Sequence, residues 1–199
     1  HRPVDRRAMV MVTQLGEFKK MFVASAVLTG LLVVARQWRQ AIFVGATLLG
    51  AALINTGTKL FFARMRPEVL TDPLTSFSMP SGHASGSFAF FLALAVLAGR
   101  GQPTRLRLTW LVLGCIPAAT IAVSRVYLGA HWPTDILAGT LLAMTVCAFS
   151  LHFSQHRSLL PPMPPMPPKV WWLILPVCGA VLGFIAFTGT SHALLRYAY

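Results

Sequence analysis

Apolar residues run along this chain in six blocks separated by short polar interruptions. Each block is long enough, or nearly so, to cross a hydrocarbon core of about 30 Å as a helix. The blocks run roughly from Phe18 to Ala35, Ala41 to Phe62, Ala84 to Gly99, Leu106 to Val123, Asp135 to Phe153 and Val170 to Thr188. In lipid every main-chain amide must find its partner within the segment, so the blocks predict helices. The alternating strands of a membrane barrel are absent. The fold class expected is therefore all-α, an integral membrane bundle of about six transmembrane helices forming a single domain over residues 1–199. Short connections predict consecutive helices packed antiparallel. Two connections are longer and differ in kind: Arg64 to Ser81 is polar and rich in turn residues, whereas residues 160–169 hold the run Pro-Pro-Met-Pro-Pro-Met-Pro-Pro. The second reads as a stiff polyproline linker into the last helix. No internal repeat is evident.

Composition sharpens this picture. Apolar residues make up 55% of the chain and charged residues 11%, against about 25% charged in an average soluble domain. The net charge of +12 raises the question of nucleic acid, whose partners carry a basic face. Here the basic residues sit in short loops between apolar spans, which is the positive-inside pattern of membrane proteins, and no nucleic-acid partner is expected. With alternating helices, the loops Arg36 to Gln40, Arg100 to Arg107 and His152 to Lys169 share one side and hold seven Lys or Arg and no acid. All five acids, Asp5, Glu17, Glu68, Asp72 and Asp135, fall on the other side with the remaining ten Lys and Arg. The first side is expected to be cytoplasmic, against the pull of a basic start that carries Arg2, Arg6, Arg7, Lys19 and Lys20. Cys115, Cys147 and Cys178 lie within spans without metal-ligand spacing and read as small buried residues. Trp38, Trp110, Trp132, Trp171 and Trp172 lie near span ends, as interfacial anchors do.

Three short constellations gather on the second side. Lys59, Arg66 and Pro67 close the second span. Seven residues make nearly two helical turns, so Lys59 and Arg66 are expected on one face, aimed at one anion, with the helix stopping near Arg66 because Pro67 disfavours helix before it. Taken alone the pair also reads as two snorkelling cations. Pro80-Ser81-Gly82-His83 leads directly into the third span. Ser81 suits an N-cap, Gly82 admits a close ligand at a helix start that favours anions, and His83 can carry a proton near neutral pH. The third constellation is Ser124-Arg125, His131 and Asp135, with Pro133 at the expected first position of a helix. Asp135 then falls in the first turn, where it can accept the Nδ1 proton of His131 and leave Nε2 as nucleophile or base; a hydrogen-bonded loop pair reads equally well from this segment alone.

Eleven residue identities at fixed spacing on one membrane face exceed what background frequencies of a few per cent each produce by coincidence. The pattern resembles the type 2 phosphatidic acid phosphatase superfamily, whose signatures are Lys-x6-Arg-Pro, Pro-Ser-Gly-His and Ser-Arg-x5-His-x3-Asp. Every signature residue is present between Lys59 and Asp135. The resemblance implies that Lys59, Arg66, Ser81, Gly82 and Arg125 hold the phosphate. It also implies that His83 is general acid and then base, His131 the nucleophile, and Asp135 its orienting partner. Phosphoryl transfer spreads charge over equatorial oxygens, so fixed cations and helix-start amides suffice to stabilise it, and neither metal nor cofactor is expected.

In one respect the chain departs from the resemblance: bacterial members commonly end the third span with Lys-x6-Arg-Pro, whereas here it ends the second. The stretch Asp5 to Glu17 resembles the linker after a first span, so a missing first span or an upstream membrane domain is expected, and the span after the proline linker is an extra one. The chain begins at His1 without a signal peptide's n- and h-regions, as a fragment or processed chain does. The activity expected is hydrolysis of a lipid-linked phosphate or diphosphate (undecaprenyl diphosphate, phosphatidic acid or phosphatidylglycerophosphate) through a phosphohistidine, by a multi-pass enzyme of a bacterial inner membrane whose site faces the periplasm. The partners expected are that lipid phosphate and the surrounding membrane lipids. The alternatives are a lipid phosphotransferase and a lipid transporter with a vestigial site, for which charges should stand mid-span. His152 and His156 have i, i+4 spacing without a third ligand and read as a helix end. Arg64, Glu68 and Asp72 read as solvated loop charges beside the site.

Overall fold

The computed structural model describes residues 3–67, 76–155 and 163–188, and every regular element among them is a helix. These are α1 (Pro3–Leu15), α2 (Phe18–Val34), α3 (Trp38–Phe62), α4 (Gly82–Gly99), α5 (Thr104–Tyr127), α6 (Pro133–Gln155) and α7 (Pro168–Thr188). Helices α3 to α7 are long and apolar enough to cross a membrane, and α2 is a shorter apolar helix.

Helix α4 is the hub, with α2, α3, α5 and α6 packed around it. Its most apolar window is 61% buried, against 17% for α5 and α6, whose outer faces are left for lipid. Small residues on α4, among them Ala84, Ser85, Ser87, Ala89 and Ala93, are buried. They let neighbouring backbones approach closely, which is the principal source of helix association where hydrophobic exclusion is weak. Gly139 of α6 shows how tight this is, since a Cβ there would lie 2.6 Å from the Ser81 carbonyl oxygen.

The stretch Asp5 to Glu17, expected as the linker after a first span, holds a helix, α1, which buries Val10 and Thr13 and packs against α5 and α7. Two expectations are corrected. Consecutive helices are neighbours from α1 through α6, but α7 packs against α2 and α1. The proline linker makes that displacement: Met163 and Met166 are both buried while Pro164 and Pro165 are exposed. A polyproline helix has three residues per turn, so the two methionines share its inner face. Gln40 Nε2 donates to the Pro164 carbonyl at 3.0 Å and Arg100 Nε to that of Met163 at 2.9 Å, holding the linker across the bundle end. Lastly, α3 ends at Phe62 and Ala63 takes a left-handed conformation (φ 44°), so Arg66 is not on the helix that carries Lys59. The restriction imposed by Pro67 reaches only the preceding residue, and the stop four residues earlier comes from the Ala63 cap.

Cys147 and Cys178 are buried and Cys115 partly so, all three as free thiols. Trp38, Trp110, Trp132 and Trp172 are exposed near helix ends. His152 is an exposed residue near the end of α6, edge-on to Phe153; Glu68, Asp72 and His156 lie outside the described residues.

Candidate functional site

The end of α3, the start of α4, the end of α5 and the start of α6 meet at one end of the bundle, and each brings at least one of the predicted residues. Helix α4 starts at Gly82 with Ser81 as N-cap, whose hydroxyl accepts from the Ala84 amide at 3.4 Å. A Cβ on Gly82 would stand 3.5 Å from Asn55 Oδ1, ordinary contact, so no protein neighbour demands glycine there. Helix α5 runs four residues beyond the expected Val123, which puts Ser124 and Arg125 in its last turn, both buried. Arg125 Nη1 donates to Thr13 Oγ1 of α1 at 3.0 Å. The chain then turns through Gly129 at φ 69°, a left-handed value that a side chain disfavours. The Ala130 amide returns to the Arg125 carbonyl at 2.9 Å. This turn delivers His131, and α6 begins at Pro133 as expected.

Asp135 is fully buried and fixed from several directions. Its Oδ2 accepts from the Ser78 hydroxyl and, at 2.9 Å, from the Trp132 amide; its Oδ1 accepts from Arg64 Nη1 at 3.0 Å. His131 Nδ1 lies 3.4 Å from Asp135 Oδ2 and 3.4 Å from Ser78 Oγ. On the other side of the ring, Arg66 Nη1 stands 3.0 Å from Nε2. A guanidinium offers only N–H donors, so Nε2 is the acceptor and the ring proton is on Nδ1. Burial is the main reason that the His131 pKa is pushed down to about 4. The Asp135 hydrogen bond opposes that shift, while the charges of Arg66, Arg125 and Lys59 add to it. At neutral pH His131 is therefore a free base with its lone pair facing cations.

Lys59 and Arg66 meet despite the break in α3, because both lean on the strip at residues 76–77. Lys59 Nζ donates to the Phe77 carbonyl; Arg66 donates through Nε to the Ser76 carbonyl at 2.7 Å and through Nη1 to that of Ala130 at 2.8 Å. The charges acting on the His83 ring are those of Arg125, His131, Arg66 and Lys59. The α1–α2 turn covers this ring, since a Cβ on Gly16 would approach its Cδ2 to 3.1 Å. All eight predicted residues are thus brought to one place.

The sequence model of the PAP2 superfamily matches residues 40–159, more than half of the chain and all of these residues. The chain belongs to the PAP2 superfamily. It is 29% identical over 151 residues to the undecaprenyl-diphosphatase of Sulfolobus acidocaldarius, covering 71% of this chain and 68% of that protein. It is 30% identical over 153 residues to the decaprenylphosphoryl-5-phosphoribose phosphatase of Mycobacterium tuberculosis, covering 73% of this chain and 80% of that one. Its fold is that of the crystal structure of a transmembrane PAP2-type phosphatidylglycerolphosphate phosphatase from Bacillus subtilis, with a TM-score of 0.69 at 22% identity over 79% of this chain and 81% of that one. The expected family, the all-helical membrane fold and the phosphatase class hold.

Sequence reasoning missed three partners of the PAP2 site. Arg64, read as a solvated charge, donates to Thr134 Oγ1 at 2.6 Å as well as to Asp135, and stacks over the Trp132 ring at 5.5 Å. Ser78 and Thr13 are buried and bonded to Asp135 and Arg125. Their partners are 57 and 112 residues away, and nothing in local spacing signals such pairs.

Proposed function

We propose that this PAP2 protein hydrolyses a lipid-linked phosphate or diphosphate through a phosphohistidine at His131, without a metal ion. The observation that carries the reading is the two-sided setting of His131, with Nδ1 against Asp135 and a bare Nε2 against Arg66. In the first step the Nε2 lone pair attacks phosphorus. The bond to the leaving oxygen breaks, its electron pair stays on that oxygen, and protonated His83 supplies the proton. In the second step His83 takes a proton from water, the hydroxide attacks phosphorus, and the P–N pair returns to Nε2. Arg66 exchanges its protein acceptors for phosphate oxygens, and Lys59, Arg125, the Ser81 hydroxyl and the helix-start amide of Gly82 complete the cradle. No protein atom crowds Gly82, which is consistent with its keeping that space for the ligand. Fixed cations and helix-start amides supply here the charge stabilisation that a metal ion gives in other phosphatases.

The lipid chain has a place beside this site. A cavity of about 450 Å³ between α2, α3 and α4 is walled by residues such as Phe22, Ala26, Gly30, Leu48 and Ala52, and reaches Asn55 and Gly82. From Met21 to Val33 it follows α2 for about 18 Å at 1.5 Å per residue. Each methylene buried there contributes about 0.8 kcal/mol, without selecting a headgroup. Undecaprenyl diphosphate, phosphatidic acid and phosphatidylglycerophosphate all meet these demands. The charged groups of the site stand at helix ends, where they act on a headgroup, and not along a mid-span pathway. Basic loops at the opposite end favour a site facing the periplasm of a bacterial inner membrane.

The test uses nitrophenyl phosphate, an activated substrate whose leaving group needs little protonation. With it, the detergent-solubilised His83→Ala protein should accumulate acid-labile, base-stable phosphate on His131, and His131→Ala should show neither label nor turnover. Label on another residue, or turnover in His131→Ala, defeats the mechanism.

A further inference from the structure

The end of the bundle away from the catalytic site holds Arg36, Arg39, Arg100, Arg105, Arg107 and Lys169, and no described carboxylate. Positive-inside bias accounts for basic residues at a membrane end, yet that bias asks only that they reach water. Three of these arginines converge instead. Arg39, at the start of α3, donates through Nη2 to the Ser154 carbonyl of α6 at 2.7 Å, while its Nε and Nη1 are buried with no acceptor among the described residues. Arg100, just past α4, is partly buried and tied to the Met163 carbonyl. Arg107, on the first turn of α5, packs its stem against Gly99. Arg100 feels both of the others: after burial, the charges of Arg107 and then Arg39 lower its pKa.

Between Arg100 and Arg107 lies a cavity of about 90 Å³, lined elsewhere by Ala95, Val96, Leu111 and Leu151, the last of these one turn before the Ser154 whose carbonyl Arg39 holds. One water needs about 10–15 Å³ by the same measure, so the space admits a larger group. Buried guanidinium donors without acceptors cost free energy, as do like charges held together, and one anion relieves both. Trp38, Trp110 and Trp172 are exposed at this end, which sets the cluster at headgroup level. The anion abundant at that depth is a lipid phosphate, and the apolar walls continue toward the hydrocarbon as a lipid's glycerol and first methylenes do.

We propose that Arg39, Arg100 and Arg107 form a second phosphate site, on the leaflet opposite the catalytic one, that holds the phosphodiester headgroup of an anionic phospholipid. A diester of this kind is not a monoester substrate, so occupancy can be followed apart from turnover. It does not depend on the reaction proposed for His131.

The test titrates dioctanoyl phosphatidylglycerol, dioctanoyl phosphatidylcholine or sodium phosphate into the full chain in detergent micelles and follows the melting temperature. Phosphatidylglycerol should raise it and phosphatidylcholine should not; any rise with inorganic phosphate, which the catalytic cradle can also hold, should vanish in Arg66→Gln, whereas the phosphatidylglycerol shift should persist in Arg66→Gln and lose at least tenfold in apparent affinity in Arg39→Gln/Arg107→Gln. Should the double variant fail to fold, Arg107→Gln alone, at an exposed position, should weaken binding about fivefold and Arg107→Lys should restore most of it. Equal shifts with phosphatidylcholine, an equal shift with inorganic phosphate that persists in Arg66→Gln, or a phosphatidylglycerol response unchanged by the Arg39 and Arg107 substitutions each overturn the proposal.

Discussion

Asp135 is held by Ser78, by the Trp132 amide and by Arg64, and it faces His131 from full burial. Lys59 and Arg66, a few ångströms away, rest on main-chain carbonyls of residues 76, 77 and 130. Hydrogen bonds to a buried charge contribute about 1.5–3 kcal/mol each, and breaking one leaves a group that water cannot reach. Of the carbonyls that Lys59 and Arg66 hold, those of Ser76 and Phe77 belong to exposed residues and can turn to water at little cost, while Ala130 is buried. The comparison separates a fixed imidazole side from a cation side able to pass from protein acceptors to a phosphate. If it is right, substitutions on the two sides should differ in both the size and the kind of their effect.

The largest effect is expected on the fixed side. Asp135→Asn keeps the shape but offers an amide where Ser78, Trp132 and His131 all need an acceptor. The imidazole then loses both its tautomer and its orientation, and kcat on a soluble phosphomonoester should fall by about 10³ to 10⁴, as for other aspartate-oriented histidines. A loss of less than tenfold would mean that the buried carboxylate is only structural.

Much of this fixed side could be read from the residues alone. Ser81 as a cap, Pro133 at the start of α6 and Asp135 one turn from His131 are local features, and local features survive folding. Membrane spans were legible for the same reason, because lipid imposes one length and one backbone solution. What could not be read is long-range. Ser78 and Thr13 become site residues only because α1 and the 76–81 strip are folded over the ends of α5 and α6. The relation of Lys59 to Arg66 was misread because helical periodicity was carried through Ala63, where the helix stops. The two cations still converge, through shared main-chain acceptors.

A smaller effect should mark the cation side, and pH gives it a signature. His131 must be neutral to attack, so with nitrophenyl phosphate, whose leaving group needs little help from the His83 proton, kcat/KM should hold steady from neutral pH downward and then fall about tenfold per pH unit below the His131 pKa of about 4. Arg66 is among the charges that push this pKa down. Arg66→Gln should therefore cost about a hundredfold in kcat/KM through lost phosphate contacts and also move the acid limb to higher pH, since removing a cation favours imidazolium. A limb that stays in place, with the same loss, would show that Arg66 binds phosphate without acting on His131.

The smallest effect should fall on Arg64, which belongs by contact to the fixed side but by exposure to the other. Its side chain is 38% exposed while that of Asp135 is 0% exposed. An ion pair with one partner in water contributes about 0.2–1 kcal/mol, and stacking over Trp132 adds about 0.5–1 kcal/mol. Since Ser78 and the Trp132 amide still hold Oδ2, Arg64→Gln should lower kcat only about two- to fivefold. Salt separates this contribution from the buried ones. At about 1 M ionic strength the Debye length falls to about 3 Å, so the gap between Arg64→Gln and the parent should narrow, whereas the loss in Ser78→Ala, whose hydroxyl is fully buried, should not change. A loss beyond a hundredfold in Arg64→Gln, insensitive to salt, would place Arg64 with Asp135 and draw the boundary between the two sides at the Trp132 ring instead.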